Sequence, residues 1–333
     1  MLQPIWLKHF YTLIIIIKME GNRMNITAGM VKELREMTGA GMMDCKKALT
    51  ATEGNMEKAV EFLREKGLAA AEKKAGRIAA EGIVDTFISE DGKIGAIVEV
   101  NSETDFVAKN DTFKTYVAEV VAQAAKTSAN DIDAFLAEPW ALDTSITVKE
   151  KLSSMISIIG ENMNIRRFDK ITADNGFVMS YIHGGGRIGI LVEVESSVYN
   201  DATKEAAKNV AMQIAAMSPK YVSEAEVPAD YLAHEREILF AQIKNDPSNA
   251  KKPENIIEKM LEGRLKKELK EICLLDQVYV KDGDLSVGKY LETVSKEVGA
   301  PISIKRFVRF ETGEGLEKKT EDFAEEVAKQ MGQ

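Results

Sequence analysis

G-K-I-G-A-I-V-E-V, from Gly92 to Val100, returns as G-R-I-G-I-L-V-E-V from Gly186 to Val194. Ile94 to Val100 is nearly continuous in apolar, β-branched residues, as a strand packed on both faces requires. Each copy follows another strand-like run, Gly82 to Ser89 or Phe177 to His183, and precedes an Ala-rich helical stretch, Phe113 to Ala125 or Thr203 to Ala216. The unit is a β-hairpin followed by a helix, duplicated. The fold class this predicts is α+β, with a core of two similar β-hairpin-helix subdomains.

The copies differ where strand passes to helix. The first carries T-D-F-V-A-K-N (Thr104 to Asn110), the second the shorter S-S-V-Y-N-D. The spacing predicts a loop at Thr104–Asn110, with Phe106 and Val107 following Asp105 where only polar atoms are expected. The second copy lacks this segment, so the fold does not need Phe106. A loop on a rigid scaffold is a common place for a working residue.

Upstream, three short helices are expected between Thr27 and about Gly67. Thr27 caps the first, whose apolar face is Met30, Val31, Leu34 and Met37, and Gly39 and Gly41 stop it. The second opens on Met42 and Met43, which cannot both face a core, so one of them is expected at the surface as an adaptable contact. Lys46 and Lys47 lie beside them. Asn55 caps the third. Met24-Asn25-Ile26-Thr27 reads as a natural start, which makes residues 1–23 an extension outside the fold. Their apolar run, Tyr11 to Ile17, is far shorter than the ~20 residues that span a bilayer, and no small-residue cleavage site follows it.

Downstream, Tyr231 to Lys244 and Pro253 to Ile272 read as a helical hairpin, with Leu232, Ile238, Leu239 and Ile243 facing Ile256, Ile257, Met260, Leu261 and Leu265. Its narrow stripe allows closure as an antiparallel coiled coil or a homodimer through the hairpin. A strand at Ile302 to Phe310 and an amphipathic helix at Thr320 to Met331 close the chain. The expected organisation is an extension 1–23, a helical module 24–77 and core subdomain 1 at 78–173. Core subdomain 2 takes 174–227 and 274–312, the hairpin insertion 228–273, and a C-terminal module 313–333.

Composition and motifs narrow the function classes. Apolar content is 45%, charged content 29% and the formal net charge −9. Residues 24–80 carry 10 Lys+Arg against 8 Asp+Glu, while 81–333 carry 31 against 44, and an acidic body disfavours direct nucleic-acid binding. Cys45 and Cys273 form no CxxC pair, which points to a reducing, cytoplasmic setting. His234-Glu235 opens like a zinc-protease helix, but Ile238 stands where the second ligand is needed. His183-Gly184-Gly185-Gly186-Arg187 lies between two strands, which fits a hairpin turn and not a phosphate loop. With no nucleophile paired to a base, no metal cluster and no phosphate loop, an enzyme has little support, and no cofactor or metal is expected.

Five ordered motifs carry a family resemblance over nearly everything after Met24. They are T-G-A-G-M-M-D-C-K-K-A-L (Thr38 to Leu49), T-D-F-V-A-K-N (Thr104 to Asn110), G-E-N-M-N-I-R-R (Gly160 to Arg167), E-G-R-L-K-K from Glu262, and R-F-E-T-G-E-G-L-E-K (Arg309 to Lys318). In these the chain resembles the bacterial elongation factor Ts family, the guanine nucleotide exchange factors for elongation factor Tu. The resemblance implies a ubiquitin-associated-like helical module, a two-subdomain core, a coiled-coil insertion and a C-terminal module. It also implies that Thr104, Asp105, Phe106 and Val107 disturb the Mg²⁺ at the nucleotide site of elongation factor Tu. Met42, Met43, Ile159, Gly160 and His183 match further contact positions. No covalent catalysis is implied. A different class, an adaptor or chaperone acting through the helical module alone, predicts binding without exchange.

Overall fold

The computed structural model describes residues 26–249 and 252–317; the expected extension 1–23 and the closing helix Thr320–Met331 lie outside them. Three helices come first, α1 (Ala28–Thr38), α2 (Met42–Ala51) and α3 (Met56–Lys74). The first hairpin, β1 (Glu81–Ile88) and β2 (Ile94–Ser102), leads to α4 (Asp105–Lys109), α5 (Asp111–Ala124) and α6 (Ile132–Ala137). A small hairpin, β3 (Pro139–Trp140) and β4 (Asp143–Thr147), precedes α7 (Val148–Ile159) and β5 (Met163–Thr172). Next come β6 (Phe177–His183), β7 (Ile188–Glu195) and α8 (Asp201–Met217), then the helical pair α9 (Ala229–Asn245) and α10 (Glu254–Ile272). The chain returns through β8 (Val278–Tyr279), β9 (Asp282–Ser286), α11 (Val287–Val298) and β10 (Ser303–Glu311). The fold is α+β, and its contacts divide it into two compact units.

The first unit combines the chain up to Arg77 with Leu136–Met163. Thr27 caps α1 by accepting from Met30 N at 3.2 Å, and Asn55 caps α3 by accepting from Lys58 N at 2.9 Å. Leu34, Cys45, Ala48, Leu49 and Ala59 are fully buried between the three helices. The third helix does not stop near Gly67 but runs to Lys74, through Ala, Glu and Lys residues that favour a helix. Gly67 is the point at which α3 crosses the Ser153–Ser154 backbone of α7. On either side, Arg64 pairs with Glu150 at 2.8 Å and Lys74 Nζ donates to Ile156 O at 3.3 Å.

The second unit takes Ile78–Phe135 and the chain from Asn164 onward. It holds two three-stranded sheets, β1-β2-β5 and β10-β7-β6, in which β1 and β2 pair from Glu81↔Ser102 and β6 and β7 from Phe177↔Val194. The sheets bury Val84, Ile97, Ile171, Val178, Leu191 and Phe310 against one another. Their contact is reciprocal. A Cβ on Gly95 would lie 2.5 Å from Val178 Cγ1, and one on Gly189 would lie 2.4 Å from Val84 Cγ1, so each copy supplies the glycine on which the other's valine rests. Side chains of α8 and α11 cover one face of the second sheet, while α5 packs on β1 and β2.

The duplication extends further than the hairpin and helix. β3–β4, α7 and β5 recur as β8–β9, α11 and β10, with Ile165-Arg166-Arg167-Phe168 answered by Ile304-Lys305-Arg306-Phe307. Thr147 caps α7 and Ser286 caps α11, and left-handed Gly160 and Gly299 end them. Each copy also buries a glutamate beneath two basic residues. Glu99 accepts from Arg166 Nη1 at 3.0 Å, Arg167 Nε at 2.6 Å, Asn101 Nδ2 at 3.0 Å and Gly313 N at 2.8 Å. Glu193 takes Lys305 at 2.9 Å and Arg306 at 3.8 Å. A register shift between Ile304 and Arg306 turns two consecutive cations toward one partner, as bulges allow.

The helical pair closes on itself, burying Ile243, Ile257 and Leu261 with Leu239, Phe240 and Met260 alongside. Ile238 and Ile256, expected in the seam, are instead partly exposed. The stripe is narrower than its apolar content implies, since each helix presents only the residues on its contact line.

Candidate functional site

Thr104–Asn110 is not a loop but a single helical turn. Thr104 is its N-cap, in extended conformation, and its hydroxyl accepts from Val107 N at 3.4 Å. Asp105 occupies the first helical position, where a carboxylate meets the positive end of the helix dipole. At the other end Asn110 N donates to Val107 O at 2.9 Å, while Asn110 Oδ1 accepts from Thr112 N at 2.8 Å and so caps α5. Caps at both ends give five residues a helical form that their length alone would not sustain.

The turn points its two apolar residues in opposite senses. Val107 is buried and anchors the turn, whereas Phe106 is 80% exposed. Lys109 lies 5.9 Å from the Phe106 ring centre and pairs with Asp105 at 2.6 Å. The hydrogen bond from Lys109 holds the Asp105 carboxyl below the usual aspartate range. The corresponding segment of the second copy carries a half-exposed Tyr199, whose ring lies against Phe177 with ring centres 4.9 Å apart and Lys204 over its face. Both aromatics reach solvent, and Phe106 is the more exposed of the two, 80% against 51% for Tyr199.

The turn from His183 to Arg187 belongs to the same end of the unit. Gly186 O accepts from Val84 N at 2.7 Å, and Gly186 lies against Ile83. Ile83 stands two residues from the Glu81↔Ser102 pair that precedes Thr104. His183 is exposed, and its Nδ1 shares a hydrogen bond with Tyr181 Oη at 3.0 Å. Thr104, Asp105 and Phe106 thus follow the strand pair whose β1 member Gly186 abuts, although His183 lies 77 to 79 residues further along the chain.

The first unit gathers the other expected positions. Met42 and Met43 are 59% and 63% exposed; the sequence led us to expect one of them outside, and both are. They begin α2 without a side-chain cap. The preceding turn brings Gly39 against Ile158, next to half-buried Ile159 and to Gly160, which ends α7 at φ 90° and donates to Ile156 O at 3.0 Å. Met37, expected on the core face of α1, is 61% exposed. The missed signal is its place in the last turn before left-handed Gly39, where a helix no longer has a neighbour to cover it.

A sequence model described as Elongation factor TS matches residues 103–314. Elongation factor Ts of Clostridium novyi (strain NT) is 56% identical over 308 residues, covering 92% of this chain and 99% of that protein. That of Clostridium perfringens (strain 13 / Type A) is 58% identical over 307 residues, with the same coverage, and that of Clostridioides difficile (strain 630) is 54% identical over 307. The chain belongs to the elongation factor Ts family.

As a member of the elongation factor Ts family it is a factor of translation elongation in protein biosynthesis. Within the motifs Gly160–Arg167 and Arg309–Lys318, residues that sequence reading used as markers of the family have a physical role in its fold. Arg166 and Arg167 pair with buried Glu99, and Gly313 N donates a hydrogen bond to it. Among the described residues, no group of three or more His, Cys, Asp or Glu side chains could hold a metal ion, and no helix is long and apolar enough to cross a membrane.

Proposed function

We propose that this elongation factor Ts family member binds the GDP form of elongation factor Tu and promotes GDP release. Phe106 and its capped turn act as a wedge beside the nucleotide and disturb the Mg²⁺ there, after which GTP rebinds. The observation that carries this reading is the exposure of Phe106 on a turn fixed by Thr104, Val107 and Asn110. A bridging Mg²⁺ is the largest local positive charge at a diphosphate, so its displacement weakens nucleotide binding without covalent chemistry. The wedge need only bind the open GTPase better than the nucleotide-closed one. Full burial of a phenylalanine contributes roughly 1.5–3 kcal/mol, and each ~1.4 kcal/mol of coupling changes nucleotide affinity about tenfold.

Met42, Met43, Ile159, Gly160 and His183 supply further contacts in this reading, and Val107 acts from below by fixing the turn. The setting is the cytoplasm, which agrees with Cys45 and Cys273 being buried and unpaired. The test is release of labelled GDP from elongation factor Tu. Wild type should accelerate release strongly, and Phe106→Ala should lose on the order of tenfold of that acceleration with an unchanged melting temperature. No acceleration by wild type would refute the proposal, whereas an adaptor acting through Met42 and Met43 alone would bind the GTPase and leave GDP release as it was.

A further inference from the structure

Met37 flanks the same turn as Met42 and Met43, and we propose that it is a third docking residue for the GTPase. This deepens the exchange-factor reading and rests on it. Met37 stands three residues after fully buried Leu34, so helical periodicity alone would send it inward. Met30 and Met56 do pack against the module's core. Met37 does not.

The turn between Met37 and Met42 is fixed by its own hydrogen bonds. Thr38 Oγ1 donates to Leu34 O at 2.7 Å and accepts from Ala40 N at 3.3 Å. Gly39 N donates to Arg35 O at 2.8 Å, and Cys45 Sγ donates to Ala40 O at 3.6 Å. Met37 is thereby held on one shoulder of a short rigid turn, with Met42 and Met43 on the other and Ile158 against Gly39. A single exposed methionine is ordinary; three exposed methionines flanking one short turn concentrate apolar surface there. Unbranched thioether side chains suit an irregular apolar partner surface.

The occupant is the surface of elongation factor Tu that Met42 and Met43 engage in the exchange reading, because Met37 flanks the same fixed turn as they do. The chemistry requires that surface to be apolar opposite Met37, since an unpaired charge buried there would be costly. Contacts of this kind hold the complex in every nucleotide state. They set the concentration at which the factor works and leave the maximal rate to the wedge.

The experiment titrates the full-length factor into the GDP-release assay and reads half-saturating concentration and maximal rate separately, for wild type, Met37→Gln, Met37→Leu and Met42→Gln. Met37→Gln should raise the half-saturating concentration by roughly five- to tenfold at an unchanged maximal rate, while Met37→Leu stays near wild type and neither variant melts earlier. An unchanged half-saturating concentration in Met37→Gln, with Met42→Gln weakened, would overturn the role of Met37 and leave the exchange reading intact. Equal losses in Met37→Gln and Met37→Leu with a lowered melting temperature would assign Met37 to the fold and overturn the proposal. A wild-type protein that does not accelerate release would overturn both.

Discussion

Glu99 on β2 and Glu193 on β7 hold the same position in the two copies of the repeat, opposite Val84 and Val178 in their hairpins. Their surroundings differ. Glu99 is fully buried and takes two arginines, an amide and a backbone N–H, whereas Glu193 pairs with Lys305 and Arg306, which are nearly half exposed. Burial pushes the Glu99 carboxyl up, but Gly313 N–H, Asn101, Arg166 and Arg167 outweigh it and hold it below the ordinary value of 4.5. Removing one member of a buried ion pair costs about 3–5 kcal/mol, so Glu99→Ala is expected to lose that much in denaturant unfolding. Glu193→Ala should lose less, because its cations stay hydrated once unpaired.

The same pair fixes a pH dependence. Because the folded Glu99 carboxyl lies below its unfolded value, its stabilisation is complete above 4.5 and fades as pH falls through the lowered folded value. Wild-type stability should therefore decline over that acid range, and the decline should be shallower in Glu99→Gln. Melting temperatures of both proteins across the range measure the difference; parallel curves would remove Glu99 from the account.

The single helical turn rests on Thr104. Thr104→Ala removes the acceptor for Val107 N, and N-cap losses of this kind run about 1 kcal/mol. The expected result is faster hydrogen exchange at the Val107 amide with little change in global melting, since only the turn frays. Exchange activity should fall part of the way toward that of Phe106→Ala, because the aromatic remains but is no longer held in place.

The reciprocal Gly–Val contacts predict that the sheets tolerate no side chain at either glycine. Gly189→Ala would put Cβ 2.4 Å from Val84 Cγ1, and a stiff β-branched neighbour must shift to admit it. Overpacking of this sort costs typically 1–3 kcal/mol, measurable by denaturant unfolding. The double variant Gly189→Ala with Val84→Ala should recover part of the loss, which a purely conformational effect at the glycine would not.

How much of this the chain discloses depends on the range of the forces involved. The strands Ile94–Ser102 and Ile188–Glu195 are legible because burial on both faces demands continuous apolar residues. The helical turn at Asp105–Lys109 is not, because it is made by caps and not by periodicity, and Thr104 and Asn110 read equally well as loop residues. Met37 follows the period of α1 and still faces outward, because a helix end is covered only if another element reaches it. The second half of the repeat is hidden for another reason: Arg166-Arg167 and Lys305-Arg306 keep a charge pattern, while the helices before them share caps, terminal glycines and only three buried positions, Val148, Leu152 and Met155 answered by Val287, Leu291 and Val294. Phe106 is legible as a candidate through the shorter second copy, and its opposite sense to Val107 is known only from the folded turn.

The helical pair α9–α10 is expected to be separable from the second unit. Its buried seam of Ile243, Ile257 and Leu261 forms a cluster of its own, and its base is pinned by Lys220 N and Tyr221 N donating to Ile272 O at 2.8 and 3.1 Å. Replacing Ala229–Ile272 by a short Gly/Ser linker leaves Val222 O to accept from Leu275 N at 3.0 Å as before, and a flexible linker of about four residues spans adjacent helix ends. The shortened protein should keep the melting transition of the sheets. The hairpin uses its seam internally, and Ile238 and Ile256 offer little further apolar area, so wild type and the shortened protein should sediment as the same oligomeric species. A wild-type dimer that becomes monomeric on excision would instead assign the outer face of the hairpin to self-association.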